Sequence, residues 1–202
     1  MKILIVGGTG TIGQAIVKEL SQRHNVIVVG HRQGSMIVDI ADKTSIEAMY
    51  KQVGRVDAVV AAAGAVHFGA LQEMSAAEYQ IGLQSKLMGQ VNLVLIGLSY
   101  LNDSGSFTLT SGSASDDPYR YGSSPAMVNG AINGFVKGAA IEMPRGIRIN
   151  VVSPTILTES MKDYGHYFRG FEPVPAIRVA LAYSKSVEGA QTGQVYRVGA
   201  YF

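Results

Sequence analysis

Apolar residues along this chain fall into two patterns, short unbroken runs and longer stretches spaced by three and four. KILIV (2–6), NVIVVG (25–30) and DAVVAAAG (57–64) are continuous runs ending in glycine or at a glycine pair, the mark of strands buried on both faces. MIVDI (36–40), SFTLTS (106–111), GIRINVVSP (146–154) and GQVYRVG (193–199) read as further strands. Between the first two runs, Ile12, Ile16, Val17 and Leu20 recur at helical spacing and predict a helix from Thr11 to Arg23. Other helices are predicted near 44–53, over roughly 75–101, from the RYGSSP segment to about Met143, and near 173–187. Strands that alternate with helices over short connections imply an α/β, doubly wound parallel sheet of about seven strands, with helices on both faces. No repeat or linker divides the chain, so residues 1–202 are expected to form a single domain.

Composition narrows the chemistry. Apolar residues make up 47% and charged residues 16%, as in a well-buried globular chain. A net charge of +2 is too small to argue for nucleic acid or a membrane surface as partner. The absence of cysteine excludes disulfides and thiolate chemistry. His24, His31, His67 and His166 are scattered without ligand spacing, so no metal site is expected. The opening MKILIVGGTG carries too short an apolar run for a signal peptide, and no stretch approaches a membrane span. A cytoplasmic protein is the expectation.

The stretch GGTGTIG, Gly7, Gly8, Thr9, Gly10, Thr11, Ile12 and Gly13, lies between the first strand and the first helix. It contains G-x-G-x-x-G as Gly8, Gly10 and Gly13. Glycines there allow a tight turn and close approach of backbone to a pyrophosphate, and the helix N-terminus supplies free N–H groups. This placement predicts a dinucleotide-binding domain of the Rossmann type. The second strand ends in VVGHRQG, with His31 and Arg32 and no acid. An acid there would hold a ribose 2′-hydroxyl, whereas an arginine accommodates a 2′-phosphate. NADP(H) is therefore favoured over NAD(H).

These motifs, in this order, resemble the short-chain dehydrogenase/reductase family over nearly the whole chain. VDIAD (38–42) resembles the family segment that meets the adenine, which implies roles for Asp39 and Ile40. AAAG (61–64), with Ala62, Ala63 and Gly64, resembles an Asn-Asn-Ala-Gly stretch with both asparagines replaced by alanine. GIRINVVSPT (146–155) is similar to the sixth strand, which implies Pro154, Thr155 and Ile156 beside the nicotinamide. Family members carry an Asn, a Ser and a Tyr-x-x-x-Lys pair. Aligned through AMVNGAINGF, Tyr121 falls at the tyrosine and Pro125 at the lysine. KLMGQ (86–90) aligns with Asn-Leu-x-Gly, so Lys86 stands where the asparagine would be. The serine is Ser111 or Ser113. The resemblance thus implies Ser111, Tyr121 and Lys86 as catalytic candidates, with an altered proton relay.

The proline also has a local reading. In SSPAM, Ser124 is a good N-cap and Pro125 a good first helical residue, which would leave Tyr121, like its neighbour Tyr119, in the preceding loop. Lys86 then either brings its ammonium to the space of the missing lysine or reaches past its stem to solvent. Gly130, Gly134 and Gly138 form a ridge that fits either a neighbouring helix of the same chain or a second copy. Family members commonly pair the two long helices, so a homodimer or homotetramer is expected. Residues 155–175 are rich in aromatics (Tyr164, Tyr167, Phe168, Phe171), and the resemblance implies a substrate-covering loop; the rings fit either an aromatic pocket or the loop's own packing. The expected function is an NADP(H)-dependent oxidoreductase acting on a small carbonyl or alcohol. The alternative is an NADP(H)-binding sensor or regulatory protein without turnover. An isomerase using the cofactor transiently ranks third.

Overall fold

The computed structural model of the protein describes residues 1–199. The continuous apolar runs become β1 (Lys2–Val6), β2 (Asn25–Gly30), β4 (Val56–Ala61) and β6 (Arg148–Pro154), with β3 (Met36–Ile37), β5 (Leu101–Thr110) and β7 (Val195–Val198) beside them. Among the described residues these seven strands form one parallel sheet in the order β3-β2-β1-β4-β5-β6-β7. Successive side chains of a strand point to opposite faces. In β1, Ile3 and Ile5 meet Ile16 and Leu20 of α1 (Thr11–Leu20) and Val179 and Tyr183 of α7 (Ala176–Glu188). Leu4 and Val6 point the other way, into a cluster with Ile46 and Tyr50 of α2 (Lys43–Val53). Both faces are therefore covered, as the uninterrupted hydrophobicity of the strands demands. After β3 the order reverses and the chain crosses back over β1 to β4. That reversal opens a crevice at the carboxyl ends of β1 and β4, where such sheets bind ligands.

The stretch expected as one helix over roughly 75–101 is three segments: α3 (Ala76–Gly82), a π-helical turn (Leu83–Met88) and α4 (Gly89–Gly97). The backbone N–H and hydroxyl of Ser75 both donate to the Glu78 carboxylate, at 2.6 and 2.8 Å, which fixes the start of α3. Buried Gln90 on α4 exchanges two 2.8 Å hydrogen bonds with the backbone of Thr110, fastening the helix to the end of β5. β5 itself begins five residues before the SFTLTS stretch (106 against 101), with a register shift against β4 between Val56 and Ala58.

The helix after RYGSSP also starts differently from expectation. α5 runs Ser123–Ala140 with Gly122 as its N-cap, so Ser124 is inside the helix and Pro125 is its third residue. An N–H in the first turn has no intrahelical acceptor, so proline there removes no helical bond. Ala126 resumes the ladder, its N–H donating to Gly122 O at 2.9 Å. On α5 a Cβ added at Gly130, Gly134 or Gly138 would meet no atom within 4 Å. The ridge faces outward, which removes the reading that it seats a helix of the same chain. No helix among the described residues is long and apolar enough to cross a membrane.

Candidate active site

Two cavities share Gly64 and Ala65 and together make one cleft along the carboxyl ends of the strands. The first, about 380 Å³, is lined by Gly7, Thr9 and Gly10 of the glycine loop, His31, Asp39 and Ile40, and Ala62 and Ala63 after β4. Gly7 has φ 85°, which side chains rarely adopt, and a Cβ there would collide with Ala62 O. The loop is thus pressed flat against the end of β4, leaving room above it and exposing the N-terminus of α1. Gly8 and Gly13 do not line the cavity. Gly8 N donates to Val29 O at 3.0 Å, and a Cβ at Gly13 would collide with Gly7 O. Both shape the loop from below. Thr11 is the first residue of α1. Arg32 is exposed next to His31, and its guanidinium makes no hydrogen bond or ion pair among the described residues.

The second cavity, about 410 Å³, is lined by Ile12, Lys86, Ser111, Pro154, Thr155 and Ile156, among others. Lys86 occupies the π-helical turn, a distortion that often accompanies functional positions because it re-aims a side chain. Its ammonium turns inward and donates to Ser111 O at 3.0 Å and to Asn129 Oδ1 at 2.7 Å. The alternative of a solvent-reaching lysine does not hold. The residue keeps some exposed surface along the cleft, yet desolvation of the ammonium pushes its pKa down from 10.5 to about 8. Gly64 makes this possible: at φ 126°, a Cβ there would lie 2.6 Å from the α-carbon of Lys86.

Ser111 and Thr155 are buried, and their hydroxyls make no hydrogen bond among the described residues although both residues line the cavity. Buried hydroxyls are usually satisfied, so these two await a polar ligand group. Together with the glycine cradle and the exposed start of α1, they fit a dinucleotide lying along the cleft. Ser113 also lines this cavity.

Tyr121 is not brought to the site. It precedes α5 with φ 66°, stays 37% exposed, and lines a separate small cavity with Gly69 and Leu71. Starting α5 at Ser123 places Tyr121 outside the helix, so it cannot share a face with position 125. Tyr119 lines the second cavity instead, its ring 4.0 Å from that of Phe168, and burial pushes its phenol pKa up. Asn129, not singled out from the sequence, is 3% exposed and completes the lysine's shell. Its only sequence signal is a polar residue between the apolar positions Val128 and Ile132 of a buried face.

The sequence model of a family described as enoyl-(acyl carrier protein) reductase matches residues 9–186. The chain belongs to the short-chain dehydrogenase/reductase family of oxidoreductases. Protein lin1944 from Listeria innocua, a solved structure, is 52% identical and superposes with a TM-score of 0.97 over 98% of this chain and 99% of that one. A small-chain dehydrogenase solved with NADPH is 26% identical, with a TM-score of 0.88 over 98% and 96%. The (2S)-[(R)-hydroxy(phenyl)methyl]succinyl-CoA dehydrogenase subunit BbsD of Thauera aromatica is 28% identical over 162 residues, 74% of this chain. That match spans only 60% of the subunit's length.

Proposed function

We propose that the protein is an NADP(H)-dependent oxidoreductase that interconverts a small carbonyl compound and its alcohol, with Lys86 in the proton-handling role. The observation that carries this reading is the Lys86 ammonium, held inside the cleft between Ser111 O and Asn129 Oδ1. When bound, the reduced nicotinamide supplies a hydride to the carbonyl carbon. The Ser111 hydroxyl, buried and without an internal partner, is a donor for the carbonyl oxygen. Lys86 has one further N–H beyond its two bonds and releases a proton to that oxygen as the alcohol forms. A pKa near 8 suits this task, since the group is charged at neutral pH and yields its proton readily. Tyr119, with its pKa raised, stays protonated and serves as a donor rather than a base. A panel of carbonyl compounds followed by NADPH absorbance, beside a cofactor titration, tests the reading. Binding without oxidation across the panel favours the sensor alternative.

The NADPH-bound relative and the unpaired Arg32 support NADP(H) over NAD(H). A charge-assisted contact contributes roughly 1.5–3 kcal/mol, about tenfold or more in affinity. Arg32→Ala is expected to weaken NADPH by that factor and leave NADH nearly unchanged in equilibrium titrations. Equal loss for both would show that the guanidinium does not read the phosphate.

A second copy of the chain is the proposed partner of the α5 ridge. Beside the ridge, Val94, Leu95 and Leu98 of and after α4 and Phe135 of α5 line an apolar groove of about 380 Å³, and Leu95 is 55% exposed. A Cβ at Gly134 meets no atom of its own chain within 4 Å, and leucine is the better helix former by roughly 1 kcal/mol, so Gly134→Leu should stay folded. A folded monomer is expected in light scattering, and an unchanged oligomer would sink the pairing.

A further inference from the structure

Beyond Lys86 and Ser111, the second cavity has a wall made of aromatic rings from three separate parts of the chain. Phe68 follows β4, Tyr119 precedes α5, and Tyr164 and Phe168 belong to the 155–175 segment; all four line the cavity. The rings touch one another and form a continuous surface. Phe68 lies 6.2 Å from Tyr119 and 5.8 Å from Tyr164, and Tyr119 lies 4.0 Å from Phe168, centroid to centroid. A second rank supports them, Tyr167 stacked on Phe68 at 5.0 Å and Phe171 edge-on to Phe168 at 5.5 Å. The segment that supplies half of the wall is closed at its base. Val174 N donates to Ile156 O at 3.0 Å and Thr158 N to Val174 O at 2.9 Å. Ala176 N donates to both oxygens of Glu159 at 3.0 Å. The wall is thus attached to a fixed stem.

Charge is distributed as unevenly as the rings. Among the described residues, Lys86 is the one charged side chain lining this cavity, with no carboxylate, guanidinium or imidazole in its lining. A ligand group lying against the rings loses water without gaining a charged partner, which penalises an ion. A flat ring seated there gains offset or edge contacts with several aromatic neighbours in addition to apolar burial.

We infer that the substrate is a neutral aryl ketone or aldehyde, or the corresponding aryl alcohol, with its ring against Phe68, Tyr119, Tyr164 and Phe168 and its oxygen toward Lys86 and Ser111. The inference rests on the carbonyl-reduction reading for its chemistry but on the ring wall for its specificity. The reaction is the one already given: hydride adds to the carbonyl carbon, the proton comes from Lys86, and the cofactor leaves oxidised.

The test pairs binding with turnover. Saturation-transfer NMR and calorimetry follow 1-phenylethanol, 1-cyclohexylethanol and mandelate on the protein with and without NADP+. NADPH absorbance follows acetophenone, cyclohexyl methyl ketone and benzoylformate. The neutral aryl compound is expected to be preferred over its cyclohexyl counterpart by about tenfold, from one or two ring contacts. Tyr164 is 45% exposed, so Tyr164→Leu should stay folded. It should reduce that preference severalfold while leaving NADPH affinity unchanged. Aryl-selective binding without turnover of any ketone supports the ring site and overturns the catalytic reading. Turnover that favours the cyclohexyl or the anionic compound overturns the aryl inference and leaves the catalytic reading standing. Absence of binding by all three alcohols, or an aryl preference untouched by Tyr164→Leu, also overturns it.

Discussion

Lys86→Met is expected to reduce NADPH-dependent carbonyl reduction by 10²–10⁴, on the order of what a positioned general acid contributes, while the chain remains folded. The stability terms nearly cancel. Moving a lysine pKa from 10.5 to about 8 corresponds to roughly 3 kcal/mol of unfavourable burial of the charge, which methionine relieves. Against this, Ser111 O and Asn129 Oδ1 lose their donor, at about 1–3 kcal/mol for each buried acceptor left unpaired. Activity is therefore the readout that moves. A pH signature separates chemistry from structure. The folded protein releases the Lys86 proton near pH 8, whereas the unfolded chain keeps it to about 10.5. Between those values the unfolded state binds more protons, so stability rises with pH through this window. Lys86→Met should flatten that rise in urea titrations at pH 7.5 to 10.5. In the wild-type protein, reduction should decline as pH rises through about 8, because the proton donor is being lost. An unchanged rate in Lys86→Met would remove lysine from the mechanism.

Gly64→Ala carries the other large effect, and it acts on the same lysine from the opposite wall. A non-glycine residue at φ 126° is strained by about 1–3 kcal/mol. The new Cβ would also lie 2.6–2.8 Å from the α-carbon, β-carbon and γ-carbon of Lys86, contacts that force the neighbouring backbone to shift. Overpacking of that kind costs about 1–3 kcal/mol more. A total of about 2–6 kcal/mol is large beside the 5–15 kcal/mol that holds an ordinary domain. The urea midpoint should fall sharply. Because Gly64 belongs to both cavities, NADPH affinity should fall with it. A midpoint within error of the wild type would mean that this close approach is not needed.

The sheet was legible because hydrophobic strands and glycine punctuation report local geometry directly. The glycine loop, His31, Asp39, Ile40 and Ala62 to Gly64 could be placed for the same reason: they sit at strand ends, and strand ends are readable. The half of the cleft around Lys86 was only partly so. Lys86 was found by its place in a motif, yet the direction of its side chain depends on a π-helical turn that no residue type in LQSKLM announces. Tyr121 stood at the aligned position, but it precedes the Gly122 N-cap and lies outside α5, as the local reading of SSPAM implied, although the helix begins two residues earlier than that reading placed it. Proline tolerates several first-turn positions, so the sequence alone could not choose among them. Asn129 was missed because its partner is distant in sequence, and buried polar pairs leave no periodic trace.

The π-helical turn has a consequence for how this site is inherited. Such a turn closes its ring with one residue more than an α-helix needs, so Leu83–Met88 behaves as a one-residue insertion in an otherwise regular helix. Losing a single codon there would restore the ordinary turn without breaking the helix, but would rotate what precedes it against α4 by about 100°. The lysine would swing off the cleft while the sheet, the glycine loop and the cofactor groove stayed as they are. On the proposed function, proton handling and nucleotide binding are therefore separable by one small indel, and related chains could part company at this point while remaining alike everywhere else.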